Sequence, residues 1–125
     1  MGMEEERLVF VLSKGLNYPD IARTTLMLAA LSANLGVKTT LFCFQDGVEI
    51  MVKGALDSEE EIPGVPTVRQ RLNEAIEAGV EILVCSQTLV VRKIKEEDLI
   101  EPVRAAGAAT LIFLAKEAKN VICIG

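Results

Sequence analysis

Histidine is absent from this 125-residue sequence. Without an imidazole, the chain has no histidine general base, no nucleophile–histidine triad of the usual kind and no histidine-bearing metal site. The glycine-rich patterns that bind nucleotide phosphates, Gly-x-x-x-x-Gly-Lys-Ser/Thr and Gly-x-Gly-x-x-Gly, are also missing. The sequence therefore predicts no metal and no other cofactor.

Positive charge is also scarce, with 13 basic against 18 acidic residues and no basic cluster. Such a chain repels a phosphate backbone, so we expect no nucleic-acid partner. No apolar run approaches the roughly 20 residues that cross a bilayer, and the first apolar run, residues 8–12, is only as long as a strand. We expect a soluble cytoplasmic protein without a membrane partner.

Cysteine is limited to Cys43, Cys85 and Cys123, an odd number without a Cys-x-x-Cys pair. An odd number of widely spaced cysteines within apolar segments indicates reduced thiols rather than a disulfide framework. Cys43 and Cys123 lie within predicted strands, and we interpret both as core residues. Cys85 instead comes at the end of a strand.

Apolar residues make up half of the chain, which has the length of one ordinary domain. We treat residues 1–125 as a single domain. The mean hydropathy of +0.36 indicates more apolar surface than one small core hides. We therefore expect part of this surface to contact another subunit.

Strand and helix patterns alternate along the chain. Near-continuous apolar text predicts buried strands, and such alternation is typical of parallel strands joined by right-handed helical crossovers. The sequence therefore predicts an α/β fold, a three-layer α/β/α sandwich around a mostly parallel sheet. The predicted strands are residues 7–12, 37–44, 80–85, 103–106 and 121–124. The predicted helices run from Pro19 until Gly36 stops the first, over residues 48–53, from residue 66 or 67 until Gly79 stops the third, and over residues 108–119.

Two segments carry further expectations. The first helix reads LMLAAL from Leu26 to Leu31, apolar on nearly all sides, which favours packing on the sheet and on a partner chain. Residues 54–66 combine acidic residues, glycines and prolines, so we predict a mobile surface loop without a regular element. We interpret it as a solvated segment, with a lid over the site as the alternative.

Ligands of parallel sheets bind beyond the carboxyl ends of the strands, so candidate site residues are those that follow each strand. Cys85 is the only competent unaided nucleophile among them. Backbone N–H groups of a following helical turn would favour its thiolate, as would Lys14 or Arg92 nearby. The other candidates are Ser13, Lys14 and Gly15 after the first strand, Gln45, Asp46 and Gly47 after the second, and Ser86, Gln87 and Thr88 after the third.

The alternative interpretation of Cys85 is a small buried hydrophobic residue. Taken singly, Lys14, Asp46 and Arg92 are interpreted as solvated loop charges. A phosphatase loop of the Cys-x5-Arg type would require arginine at position 91, where Val91 stands.

Four stretches together resemble the DsrE/DsrF/DsrH-like sulfur-relay family. The most specific parts are the Asp-Gly-Val step at residues 46–48 and the single cysteine after the third strand, Cys85. The resemblance implies a five-stranded sandwich assembled into trimers or hexamers. The stretches are LVFVLSKG, LFCFQDGVEIMVKGA, EAGVEILVCSQTL and EDLIEPVRAAGAATLIFLAKEAKNVICI.

The resemblance also implies a role for Cys85, namely to take up sulfane sulfur as a persulfide and pass it from a donor to an acceptor protein. The histidine of some heteromeric relatives is absent, which favours a homo-oligomer. Two alternatives stay open: a non-catalytic oligomeric module that binds a small molecule, and a redox sensor whose oxidised thiol is resolved between subunits.

Overall fold

The computed structural model describes residues 6–125 and contains one five-stranded parallel sheet with the strand order β4-β3-β2-β1-β5. The predicted α/β sandwich is confirmed. The strands are β1 (Arg7–Leu12), β2 (Lys38–Cys43), β3 (Glu81–Cys85), β4 (Arg104–Ala106) and β5 (Asn120–Cys123), and the helices are α1 (Pro19–Asn34), α2 (Asp46–Glu49), α3 (Val68–Ala78), α4 (Ser86–Arg92) and α5 (Ala108–Glu117).

The larger hydrophobic core lies between the sheet and the α1–α3 layer. Side chains alternate between the two faces of a strand, so Leu41 and Cys43 of β2 point into this core while Phe42 points away. Helix α1 packs on α3 and on β1 and β2. Leu89 of α4 also joins this core. One helix layer therefore covers most of the buried side chains.

A smaller core lies on the opposite face of the sheet, under α5. Its buried members are Phe42, Leu83 and Cys85, and Leu111 and Leu114 of α5 pack against them. None of the ten residues of α5 is buried, although its sequence AATLIFLAKE is mostly apolar. One sparsely packed helix therefore covers this face.

The apolar character of α1 has two sources in the structure. Leu26 and Ala29 are fully buried, because one side of the helix meets the sheet and another meets α3. Leu31 and Leu35 remain 51% and 72% exposed. Packing within the protomer thus explains most of the LMLAAL segment, and a subunit contact at α1 stays a prediction.

The prediction of no regular element in residues 54–66 is wrong. A short 3₁₀ helix spans Ala55–Ser58. Glu59 then attaches the segment to α3, because its carboxylate accepts backbone hydrogen bonds from Val68 N at 2.5 Å and Arg69 N at 3.1 Å. Thr67 and Gln70 complete a capping box at the same helix end. The free N–H groups of α3 therefore hold the acidic loop in place.

The three cysteines differ in environment. Cys43 is fully buried as predicted, and burial in the larger core raises the pKa of its thiol. The prediction that Cys123 is a core residue is wrong, because its strand β5 lies at the edge of the sheet and leaves the side chain exposed. An apolar sequence segment alone does not distinguish an edge strand from a central one.

Candidate functional site

The predicted site residues lie along one edge of the sheet, where the parallel strands β1, β2 and β3 end. Residues 13–15 form the loop between β1 and α1. Gln45 precedes α2, which begins with Asp46 and Gly47, and α4 begins with Ser86 and Gln87. The Lys14 ammonium lies 4.8 Å from the centre of the Tyr18 ring.

Two glycines bring the loops after β1 and β2 into direct contact. A Cβ atom on Gly15 would lie 2.5 Å from the carbonyl oxygen of Asp46. A Cβ atom on Gly47 would lie 2.3 Å from the carbonyl oxygen of Leu12. Both distances are far below van der Waals contact. The Asp-Gly-Val step therefore needs glycine because two backbone segments meet there.

A chain of hydrogen bonds connects the loops that follow β1, β2 and β3. Gly15 N donates to Asn17 Oδ1 at 3.0 Å, and Asn17 Nδ2 donates to Asp46 Oδ2 at 2.8 Å. Arg92, at the end of α4, donates to Asp46 Oδ1 at 2.7 Å and also to the Glu49 carboxylate. Asp46 is therefore the centre of a network that joins three strand ends.

This network adds ion pairing to the interpretation of Asp46 and Arg92 as solvated loop charges, because both side chains remain about one third exposed. The hydrogen bond from Arg92 holds the pKa of Asp46 below its ordinary value, and the carboxylate raises the pKa of Arg92 in turn. Arg92 is paired with Asp46 and Glu49 rather than directed at the Cys85 thiol. It therefore ties α4 to α2.

Asn17 and Glu49 were not predicted from the sequence, whereas Thr88 is one of the predicted residues after the third strand. Thr88 Oγ1 accepts a hydrogen bond from Gln45 N at 3.3 Å, where Gln45 adopts a left-handed backbone with φ 49°. Asn17 and Glu49 lie within a few positions of the predicted residues. Proximity to the strand ends was the available signal, but their partners lie in other loops, at sequence distances that no local pattern reports.

A cavity of about 310 Å³ opens beside the network. Asn17, Asp46 and Glu49 form its polar rim, and Leu16, Ile50 and Ala55 supply apolar lining. Two larger cavities, of about 400 and 580 Å³, are lined by residues at the amino-terminal ends of the strands. We assign the site to the smaller cavity because parallel sheets bind ligands at the carboxyl edge.

Cys85 is the last residue of β3 and immediately precedes α4. Its side chain is 5% exposed and points to the α5 face, so it does not line the cavity beside Asp46. Among residues 6–125 no hydrogen bond to its thiol is present. The structure thus places the nucleophile and the polar network at one edge but on different faces of the sheet.

Cys85 cannot form a disulfide with another cysteine of the same protomer. Cys43 belongs to the core on the opposite face of the sheet. Cys123 lies three strands away, a separation of about 14 Å at the usual strand spacing, whereas bridged cysteines have Cα atoms within about 7 Å. All three cysteines are free thiols.

Comparison with protein-family models matches residues 6–124 to the DsrE/DsrF-like family. The chain belongs to the DsrE/DsrF-like family. The suspected resemblance is therefore confirmed over nearly the whole sequence. Membership of this family is associated with sulfur relay.

Three similar proteins are named as uncharacterized. MJ0989 of Methanocaldococcus jannaschii is 37% identical over 94 residues, covering 74% of this chain and 78% of its own length. MK0008 of Methanopyrus kandleri is 31% identical, with 92% and 91% covered. MJ0760 of M. jannaschii is 29% identical over 89% of this chain, which spans 40% of that protein's length.

Solved structures support the fold. The ychN protein from E. coli superposes with a TM-score of 0.79 at 18% identity, covering 95% of this chain and 99% of that one. MTH1491 from Methanobacterium thermoautotrophicum gives a TM-score of 0.67 at 21% identity, with the same coverage. Among the described residues, no helix has the length and apolarity of a membrane span, and no group of three or more His, Cys, Asp or Glu side chains could hold a metal.

Replacing Asp46 with asparagine is expected to lower the free energy of unfolding by about 0.5–1 kcal/mol at pH 7, a modest effect because solvent screens the partly exposed ion pair. The folded-state pKa of Asp46 is depressed, so its contribution is present above the ordinary value of 3.8 and is lost as the pH falls through the folded value. Urea denaturation at several pH values should show the two proteins converging in acid.

The matched control is Asp57→Asn, which removes the carboxylate of the exposed Asp57–Arg69 ion pair away from the strand ends. An equal loss in both variants at pH 7 would contradict a special role for the Asp46 network.

Proposed function

We propose that this protein carries sulfane sulfur as a persulfide on Cys85 and passes it to an acceptor protein. The observation that carries the proposal is a thiol at the carboxyl end of β3, 5% exposed and without a second thiol in reach. Family membership agrees with this role. A sulfur carrier needs a nucleophilic sulfur at a site where ligands reach the sheet.

Isolation from other thiols protects the proposed intermediate. A neighbouring thiolate would attack a persulfide, release its outer sulfur and leave a disulfide. Cys43 faces the opposite core, and its buried thiol is held in the protonated form. Cys123 is separated from Cys85 by β1 and β2. Sulfur placed on Cys85 can therefore leave only to a partner.

The test is incubation with a small organic persulfide followed by intact-mass spectrometry. We expect a gain of about 32 Da, the mass of one sulfur atom, that dithiothreitol removes. Cys85→Ser should abolish the adduct, whereas Cys123→Ser, which removes an exposed thiol, should retain it. An adduct of equal yield on the Cys85→Ser protein would contradict the proposal.

The cavity beside Asp46 favours a second candidate, a module that binds a small molecule without catalysis. Its apolar floor and polar rim are typical of ligand sites, at the lower end of the usual volume range. A redox sensor is the third alternative, and it requires a disulfide between subunits. Absence of a reversible disulfide-linked dimer under peroxide would contradict the sensor.

We also propose a homo-oligomer in the cytoplasm, where reduced thiols persist. Ile112 and Phe113 on the outer side of α5 are 61% and 64% exposed, and Val121 on the neighbouring edge strand is 40% exposed. Together they form the α5 patch. Large apolar side chains left exposed on a small domain favour contact with another subunit, and the family resemblance favours a trimer or hexamer.

A further inference from the structure

The surroundings of the Cys85 thiol are apolar. Phe42 and Leu83 flank it on the sheet and are buried, and Leu111 and Leu114 of α5 pack over the same cluster. Phe44 and Ala106 complete the set. Cys85 is 5% exposed, so a reagent must pass neighbouring side chains to reach the thiol, and these apolar groups are among them.

Charged groups on this face gather around Glu81, and they include Arg104 of β4, which lies beside Leu83 in the sheet and whose guanidinium is 3.5 Å from Glu81 Oε2. Arg7 donates to Thr40 Oγ1 at 2.6 Å, and the Thr40 hydroxyl donates to Glu81 Oε1 at 3.0 Å. Glu81 begins β3, whereas Cys85 ends it, so the Cα atoms of these two residues are about 13 Å apart at 3.3 Å per residue. Arg92, the nearest cation that follows Cys85 in sequence, is paired with two carboxylates.

An apolar approach discriminates between reagents by charge. Moving an anion from water into apolar surroundings without a partner is strongly unfavourable, whereas an uncharged group of the same size enters with little penalty. The net charge of −5 on the chain adds to the repulsion of anions.

Resting on the proposed function of Cys85, we propose that Leu111 and Leu114 are specificity-determining residues, forming an apolar cover that admits sulfane sulfur on an uncharged group and rejects small oxyanion donors such as thiosulfate. The cover is α5 itself. Leu111 and Leu114 pack toward the sheet, whereas Ile112 and Phe113 of the α5 patch are 61% and 64% exposed, so the cover and the proposed subunit contact use different sides of one helix.

The transfer step needs no outside oxidant or reductant. The Cys85 thiolate attacks the outer sulfur of a protonated persulfide, R–S–SH, and forms a new sulfur–sulfur bond. The bond between the two donor sulfurs breaks, and the donor leaves as the thiolate R–S⁻. The outer sulfur and its proton remain on the protein as Cys85–S–SH.

The test compares alkylation of Cys85 by iodoacetamide and iodoacetate, which share a leaving group and differ in charge. The rate ratio of neutral to anionic reagent at Cys85 is read by peptide mass spectrometry, with the exposed Cys123 as an internal reference. We expect the ratio at Cys85 to exceed that at Cys123 about tenfold or more, since each tenfold corresponds to about 1.4 kcal/mol of discrimination.

Leu111→Ala and Leu114→Ala should each reduce the Cys85 ratio toward that of Cys123. Leu111→Lys should bring a cation to the thiol and make iodoacetate the faster reagent. Leu35→Ala is the matched control, the same substitution at a 72% exposed leucine next to α1, and should leave the ratio unchanged. Circular dichroism checks that each variant is folded. If one of the Leu111 and Leu114 variants does not fold, the other provides the test.

Equal ratios at the two cysteines of the unsubstituted protein would overturn the inference, as would a Cys85 ratio that no Leu111 or Leu114 variant alters. Persulfide labelling separates this failure from failure of the proposed function. If Cys85 gains sulfur as fast from thiosulfate as from an organic persulfide, the function stands and the charge-selective cover is wrong. If the ratios behave as expected but no donor loads Cys85, the cover stands and the sulfur role is wrong.

Discussion

Gly47→Ala is expected to lower the free energy of unfolding by about 3 kcal/mol, because the new methyl group overlaps a backbone atom. It would lie 2.3 Å from the carbonyl oxygen of Leu12, which also accepts the Phe44 amide at 2.9 Å. Neither backbone segment can retreat without breaking the junction of β1 and β2. Urea denaturation monitored by circular dichroism measures the change.

Gly107→Ala provides the control for this substitution. Gly107 precedes α5 with φ −77°, and no atom lies within 4 Å of a Cβ built there. The replacement should change the free energy of unfolding by no more than about 1 kcal/mol, because the poorer capping preference of alanine at this N-cap opposes the reduced conformational freedom of the unfolded chain. If Gly47→Ala were as stable as Gly107→Ala, the close approach of the two loops would be contradicted.

Phe113→Glu, combined with Ile112→Glu, is expected to dissociate the proposed homo-oligomer, raising the dissociation constant at least about 100-fold. Burying an unpaired carboxylate in an apolar contact costs more than the roughly 2.8 kcal/mol that this change represents. The mass of the particle, measured by light scattering after size exclusion, should fall to that of one 13.5 kDa protomer.

Two further variants, Val90→Glu and Leu31→Glu, test whether the subunit interface lies at α5 rather than at α4 or α1. Val90 is 78% exposed on α4, and its substitution should leave the assembly intact. Leu31 lies on α1, which the sequence favoured as the subunit contact. Dissociation by Leu31→Glu with retention in the α5 variant would move the interface to α1, and a monomeric parent protein would contradict the proposal.

The two apolar helices show how far sequence patterns extend. The pattern LMLAAL predicted a helix with more than one buried side, and the structure contains it, with one of those sides packed on α3 of the same chain. Helix α5 is equally apolar and has no buried residue. The composition of a helix indicates that it needs apolar contacts. Which element or subunit provides them depends on tertiary packing.

The site shows the same division. Asp46, Gly47 and Cys85 could be placed at one edge because parallel strands bring their carboxyl ends together. Which face of the sheet each side chain occupies was not readable, because a shift of one residue reverses the face. The bond from Arg92 to Asp46 spans 46 residues, so no local spacing predicted it.

The sequence by itself determined the α/β class, the strand and helix alternation, the reduced thiols and the edge where a site would lie, because these follow from local periodicity and composition. Only the tertiary structure decided that Cys85 lies beneath α5, that Cys123 lies on an exposed edge strand, and that Asp46 joins three loops. The reason is physical: burial and pairing depend on groups far apart in the chain, and only the folded backbone brings those groups together.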